Sequence, residues 1–182
     1  MFFKKINLIL IVFLLYQTPL HSKSTSFNDF NTKNFSKYFS GIVAFENKDN
    51  SKALDFFNSS KILMNKHDPY LKRYFYSLVL ENKVAQAINL VKSNKDKTNV
   101  KFFDAYLLLI LDSLKKQDFD KANFFLEETA NFFQSDRLNS AILESLKQYI
   151  YVFKEKKILN NQKKLGKLSK ISETFQRCFL ND

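Results

Sequence analysis

The chain has very few of the residues that punctuate β-structure. Its 182 residues include 2 glycines, 2 prolines, 1 cysteine, 2 histidines and no tryptophan. A β-rich fold needs frequent turn residues, so this shortage argues for helices joined by short polar loops. With only Gly41 and Gly166, a glycine-rich phosphate loop is nearly ruled out. A lone Cys178 cannot close an internal disulfide, so the core alone must hold the fold; a core or boundary position is expected for it, with an intermolecular bridge as the alternative. His67 and Asp68 lack further metal ligands and read as a solvated turn, and His21 lies in or beside the N-terminal apolar segment. Glu127 and Glu128 are adjacent, which on a helix sets them about 100° apart and makes no catalytic dyad. No convergent catalytic set emerges, so neither metal nor cofactor is expected, and the chain is expected not to be an enzyme.

Long apolar runs are scarce too. The segment from Ile6 to Tyr16 is interrupted by Asn7 and is about half of what a comfortable transmembrane helix needs. It follows the basic Met1-Phe2-Phe3-Lys4-Lys5 and precedes a mostly polar stretch from Gln17 to Ser26, the order of a bacterial-type export signal. Ser22 and Ser24 supply the small residues that cleavage needs. Residues 1–24 are therefore expected to be a signal peptide, or a membrane anchor through residues 6–16 if they are not cleaved. A buried first helix is the third reading. No cysteine follows the apolar run, which disfavours lipid attachment. The expected location is the periplasm after export across the inner membrane, or the inner membrane itself if the anchor stays.

What the chain does have is apolar surface and positive charge. Apolar residues make up 45%, enough for a core and too many for wholesale disorder. The formal charge is +11, and loss of Lys4, Lys5 and Lys23 with residues 1–24 would leave +8. A basic surface attracts acidic partners, phospholipid or nucleic acid, and export argues against nucleic acid.

Residues 25–34 are mostly polar and read as a linker, although Phe27 and Phe30 could pack on the first helical hairpin. Beyond them apolar residues recur every three to four positions, and polar breaks divide the pattern into such hairpins. Tyr38, Ile42 and Phe45 line one helix, and Ala53 to Leu63 form its partner. Tyr70 to Leu80 pairs with Val84 to Lys92, and Phe102 to Leu114 with Phe119 to Phe133. Turns this short force each pair to run antiparallel. A further pair is expected in 134–182, its first helix beginning at Arg137 and its second near Ile171 or somewhat earlier, with an incomplete repeat as one reading of it.

Spacing turns the hairpins into a repeat. Ala53, Ala87 and Ala122 lie 34 and then 35 residues apart, each early in a second helix, with Phe57, Val91 and Leu126 one turn on. Such units bury one face only by stacking, so three in series make one continuous core. A non-repeating helical bundle is the alternative reading of the apolar stripes. Gly41, Ala53, Phe57 and Ser60 in SGIVAFENKDNSKALDFFNSS, with Phe119 and Ala122 in KQDFDKA, carry a resemblance to the tetratricopeptide repeat family. Ala87 fits the middle unit, where the stretch before it reads one or two residues short and Ser77 stands in for the small residue of the first helix; Ile110 occupies that place in the third.

The resemblance covers repeats at about 36–69, 70–99 and 100–133, together residues 35–133. It implies an all-α, right-handed superhelical solenoid of antiparallel hairpins whose first helices receive a peptide or another protein. By position the groove residues would be Tyr38, Ile42, Phe45, Leu107, Leu111 and Lys115, though Tyr38, Ile42, Leu107 and Leu111 equally suit a core role. A protein–protein scaffold of the cell envelope is the expectation, with a membrane-anchored assembly factor and a helical hydrolase as the other classes.

One charge cluster stands out. Lys154, Lys156, Lys157, Lys163, Lys164, Lys167 and Lys170 crowd the segment 154–170 against Glu155 alone. This run is a candidate contact for an anionic surface, membrane phospholipid or an acidic partner, or else a solubilising exposed stretch. No clear polar capping helix closes the array, so the expectation is either that the chain is part of a longer array or that its last helix is a contact surface.

Overall fold

A computed structural model describes residues 32–132, 137–160, 162–163 and 166–181. The expected signal or anchor at 1–24 lies outside the described residues, as do 25–31 of the expected linker. Among the described residues are eight α-helices and no strand: α1 (Thr32–Glu46), α2 (Asn50–Asn58), α3 (Asp68–Leu80), α4 (Val84–Ser93), α5 (Phe103–Lys115), α6 (Phe119–Phe132), α7 (Arg137–Glu155) and α8 (Lys167–Leu180). Short 3-10 turns at Lys61–Asn65 and Thr98–Val100 complete the first two units. Thr32, Lys33 and Asn34 belong to α1 rather than to a linker. From α2 onward each helix packs on the next in sequence, so the fold is an all-α solenoid of sequentially packing helices.

The three hairpins share one turn. Lys48, Asn82 and Gln117 adopt φ of 64°, 57° and 59°. The residue after each sends its amide back to close the first helix: Asp49 to Ala44 at 2.9 Å, Lys83 to Leu78 at 2.8 Å and Asp118 to Ser113 at 2.9 Å. This is the Schellman closure, reached here without glycine. The same residue begins the second helix, and in two units its carboxylate accepts the amide three residues on, Lys52 at 3.2 Å and Lys121 at 3.1 Å.

Counting from these turns sets the register. Ala53, Ala87 and Ala122 are equivalent, and all are fully buried. Phe57, Val91 and Leu126 are equivalent one turn on, and all are buried as well. Ser60, Asn94 and Thr129 also coincide, and each buried side chain donates to the carbonyl four residues back, at 2.9, 2.8 and 2.7 Å. The position equivalent to Gly41 is Phe75 in the second unit and Ile110 in the third. Ser77 therefore does not stand in for Gly41: the first-helix turn is the same length in every unit.

Gly41 has a packing reason. A Cβ there would lie 2.8–3.2 Å from the ring of Phe57. That ring is buried against Tyr38 and Tyr70, with centroids 5.8 and 6.0 Å away. His67 is not the solvated turn residue expected from sequence. It is the N-cap residue of α3, set edge-on to Tyr38 at 4.8 Å and near Phe35 at 5.7 Å. Two apolar clusters result, one through the first two units into α5, the other uniting α5, α6 and α7.

Asp112 on α5 joins units through charge. Its carboxylate accepts from Lys116 at 2.8 Å and from Lys92 of α4 at 3.0 Å, and the side chain is only 11% exposed. The Lys116 hydrogen bond, followed by that of Lys92, holds the carboxyl below the usual carboxylate range. A carboxylate with a lowered folded value contributes its full stability above the unfolded value and loses it as pH falls through the folded one. Urea unfolding from about pH 5 down to about pH 2 should therefore show a loss of roughly 1 kcal/mol that Asp112→Asn removes. Parallel pH profiles of the two proteins would show that the bridge carries no stability.

The last pair departs from the hairpins. An eleven-residue link separates α7 from α8. Phe179, at the C-terminal end of α8, meets Phe153 near the C-terminal end of α7 at 4.8 Å. The two C-termini thus come together, whereas an antiparallel hairpin would bring each to the other's N-terminus.

Candidate interaction surfaces

The shared register lets the first helices be read as one surface. Ten, six and two residues before each turn lie Tyr38, Ile42 and Glu46 on α1, then Lys72, Tyr76 and Leu80 on α3, then Leu107, Leu111 and Lys115 on α5. The structure brings these three helices side by side. The Arg73 guanidinium stacks over Phe45 at 5.7 Å and pairs with Glu46 at 3.1 Å. Tyr76 donates to Asp104 of α5 at 2.6 Å, while Lys72 lies 5.5 Å from the Phe102 ring. Burial, and after it the bond to the Asp104 carboxylate, hold the Tyr76 hydroxyl above its ordinary range.

Not every expected groove residue has surface to offer. Tyr38 is 3% exposed and belongs to the first cluster, against which Ile42 and Phe45 are half-buried. Leu107 packs half-buried on the second cluster. Leu111, by contrast, is 46% exposed, and Lys115 is exposed one turn on. The middle unit supplies what the sequence pattern did not single out, half-buried Tyr76 and Leu80 at 51%. Carrying the 34-residue step from Ile42 to Tyr76 and from Glu46 to Leu80 would have found them.

A second surface lies at the far end. Between α7 and α8 runs an almost wholly apolar groove of about 320 Å³, lined by Leu138, Ile142, Leu146, Tyr149, Ile171 and Phe175 among others. Its geometry comes from an unusual choice of side. Among the described side chains of α8 the buried ones are polar: Ser172 and Gln176, tied by Gln162 to Gln176 at 2.8 Å and by Gln176 to Ser172 at 2.9 Å. Buried Gln148 of α7 donates to Glu144 and to the Lys163 carbonyl, so the returning link supplies partners for the seam. With the polar side turned in, Ile171 at 53%, Phe175 at 62% and Phe179 at 45% face outward. Cys178 is exposed beside them, not in a core or boundary position.

The lysine cluster divides among three settings. Lys154 lies in the last turn of α7 and pairs with Asp120 at 2.6 Å. Lys156 lies over the Phe179 ring at 4.6 Å, and exposed Lys157 follows it in the link. Lys163 is exposed in the link, Lys167 and Lys170 are exposed on the first turn of α8, and Lys164 lies outside the described residues. Among the described residues no three His, Cys, Asp or Glu side chains gather as metal ligands, and no helix is long and apolar enough to cross a membrane.

Fold and surfaces define the class: an all-helical, scaffold-like solenoid that can engage others through its surface. No known protein family, curated protein or solved structure matches the chain.

Proposed function

We propose that the chain is a non-enzymatic scaffold that binds a protein or peptide along its first helices. The observation that carries this is the equivalent row on adjacent helices, where Leu80 and Leu111 remain about half exposed beside Lys72 and Lys115. Large apolar side chains flanked by long cations suit a partner with apolar anchors and acidic edges. The recurring turn at 34- and 35-residue steps supports reading the hairpins as degenerate tetratricopeptide repeats, repeating at about 36–69, 70–99 and 100–133 and wound as a right-handed superhelix.

Residues 1–24 are part of the same proposal, as an export signal that delivers the scaffold to the periplasm. A retained anchor at 6–16 would make it a membrane-bound assembly factor instead. The mass of the N-terminal peptide separates the two.

Photo-crosslinking in cells tests the binding surface. A crosslinker at Leu80 or Leu111 should yield a discrete heavier adduct, and one at Glu127, exposed on α6, should not. Equal labelling from all three positions, or none, would sink the proposal.

A further inference from the structure

The outward face of α8 and the groove beside it make a second apolar surface, apart from the first-helix row. Packed by hydrophobicity alone, α8 would turn Ile171, Phe175 and Phe179 inward and leave Ser172 and Gln176 in water. The fold does the reverse, and uncovering three large apolar side chains on one helix is costly unless something covers them. At about 100° per residue the three span about 80° of α8. On one side of this arc lies the buried seam with Ser172 and Gln176. On the other side lie Lys167 and Lys170, both exposed, and Lys156 borders the C-terminal end over Phe179.

Shape decides between occupants. Ile142, Leu146 and Tyr149 of α7 are half-buried at the back of the groove, where a row of inserted side chains reaches them and a flat bilayer does not. From Leu138 to Tyr149 the groove extends for about 16 Å, three helical turns. Lys167, one turn before Ile171, and Lys156, over the Phe179 ring, border this apolar arc, and residues 137–182 carry ten lysines and arginines against four acids. We infer that this groove receives an amphipathic helix of about three turns with acidic flanks, its apolar face laid against Ile171 and Phe175. The lysines at its edge steer and orient that helix, and the apolar contact holds it.

Two synthetic helical peptides test this on the full chain by fluorescence anisotropy. Both carry leucines along one face; one is flanked by glutamates, the other by lysines. The glutamate-flanked peptide should bind and the lysine-flanked one should not. Phe175→Glu should weaken binding at least about tenfold. Lys167→Ala with Lys170→Ala should weaken it about threefold at low salt, less at high salt. The lysine pair is exposed, so its effect remains readable even if Phe175→Glu disturbs folding. Leu111→Glu should leave the affinity unchanged.

Indifference to flank charge, or loss of binding with Leu111→Glu, overturns the inference. So does binding to vesicles of equal phosphatidylglycerol and phosphatidylcholine that Phe175→Glu abolishes while neither peptide binds, which would make the occupant a bilayer. Self-association of the chain that Phe175→Glu abolishes would make it a second copy and overturn it equally.

Discussion

Phe57→Ala is expected to destabilise the solenoid by about 3–5 kcal/mol, read as a drop in the urea midpoint. The ring is fully buried where α1, α2 and α3 meet. Tyr38 and Tyr70 pack on it, and the hydroxyl of Tyr70 donates to the carbonyl of Phe57 itself. Neighbours tied on several sides collapse poorly into a void, which places the cost toward the upper part of that range. Gly41 gives a sharper companion test, because the Cβ it lacks would strike this ring. In the native background Gly41→Ala gains about 1 kcal/mol of helix propensity but must displace a ring with nowhere to go. In the Phe57→Ala background the obstruction is gone, so the same change should stabilise by about that 1 kcal/mol. An equal effect of Gly41→Ala in both backgrounds would show that the two residues do not meet.

Ala53→Leu and Ala122→Leu should each cost about 1–3 kcal/mol. Both alanines are fully buried early in the second helix of a hairpin. Extra methylenes there have no empty volume to occupy and must force off-rotamer side chains or part the helices. Ala85 and Ala130 are exposed on α4 and α6, and leucine at either should change stability by no more than about 0.5 kcal/mol. Thermal midpoints of the four variants decide the matter. If the buried and exposed pairs behave alike, the equivalence of Ala53 and Ala122 has no packing content.

Much of the helical layout is legible in the sequence alone. Apolar periodicity is local, and so are the polar breaks at Asp49, Asn82 and Asp118, which is why the helices of the three hairpins stand close to where the pattern places them. The 34- and 35-residue steps between Ala53, Ala87 and Ala122 are equally local. The middle unit is harder to place. Its turn residue, Asn82, is like Lys48 and Gln117 a non-glycine at positive φ, and a conformation imposed by closing hydrogen bonds leaves no mark in composition. The sequence already sets Ile110 against Gly41, and only the turns in three dimensions put Phe75, not Ser77, in that place.

The surfaces are less accessible for a related reason. In a solenoid each helix has neighbours before and after it, so periodicity shows which residues share a face but not which neighbour covers that face. Tyr38 and Leu111 read alike in the sequence; stacking buries the first among Phe57, Tyr70 and His67 and leaves the second half exposed. His67 looks like a solvated turn because its aromatic partners, Phe35 and Tyr38, lie some thirty residues away. On α8, Ile171, Phe175 and Phe179 mark an apolar stripe that periodicity alone would turn inward. The returning link brings Gln162 and the Lys163 carbonyl to meet Gln176 and Gln148, and those hydrogen bonds hold the polar side inside. The scarcity of glycine and proline determined that the chain would be helices and little else. Which faces those helices left open was decided by contacts between residues far apart in sequence.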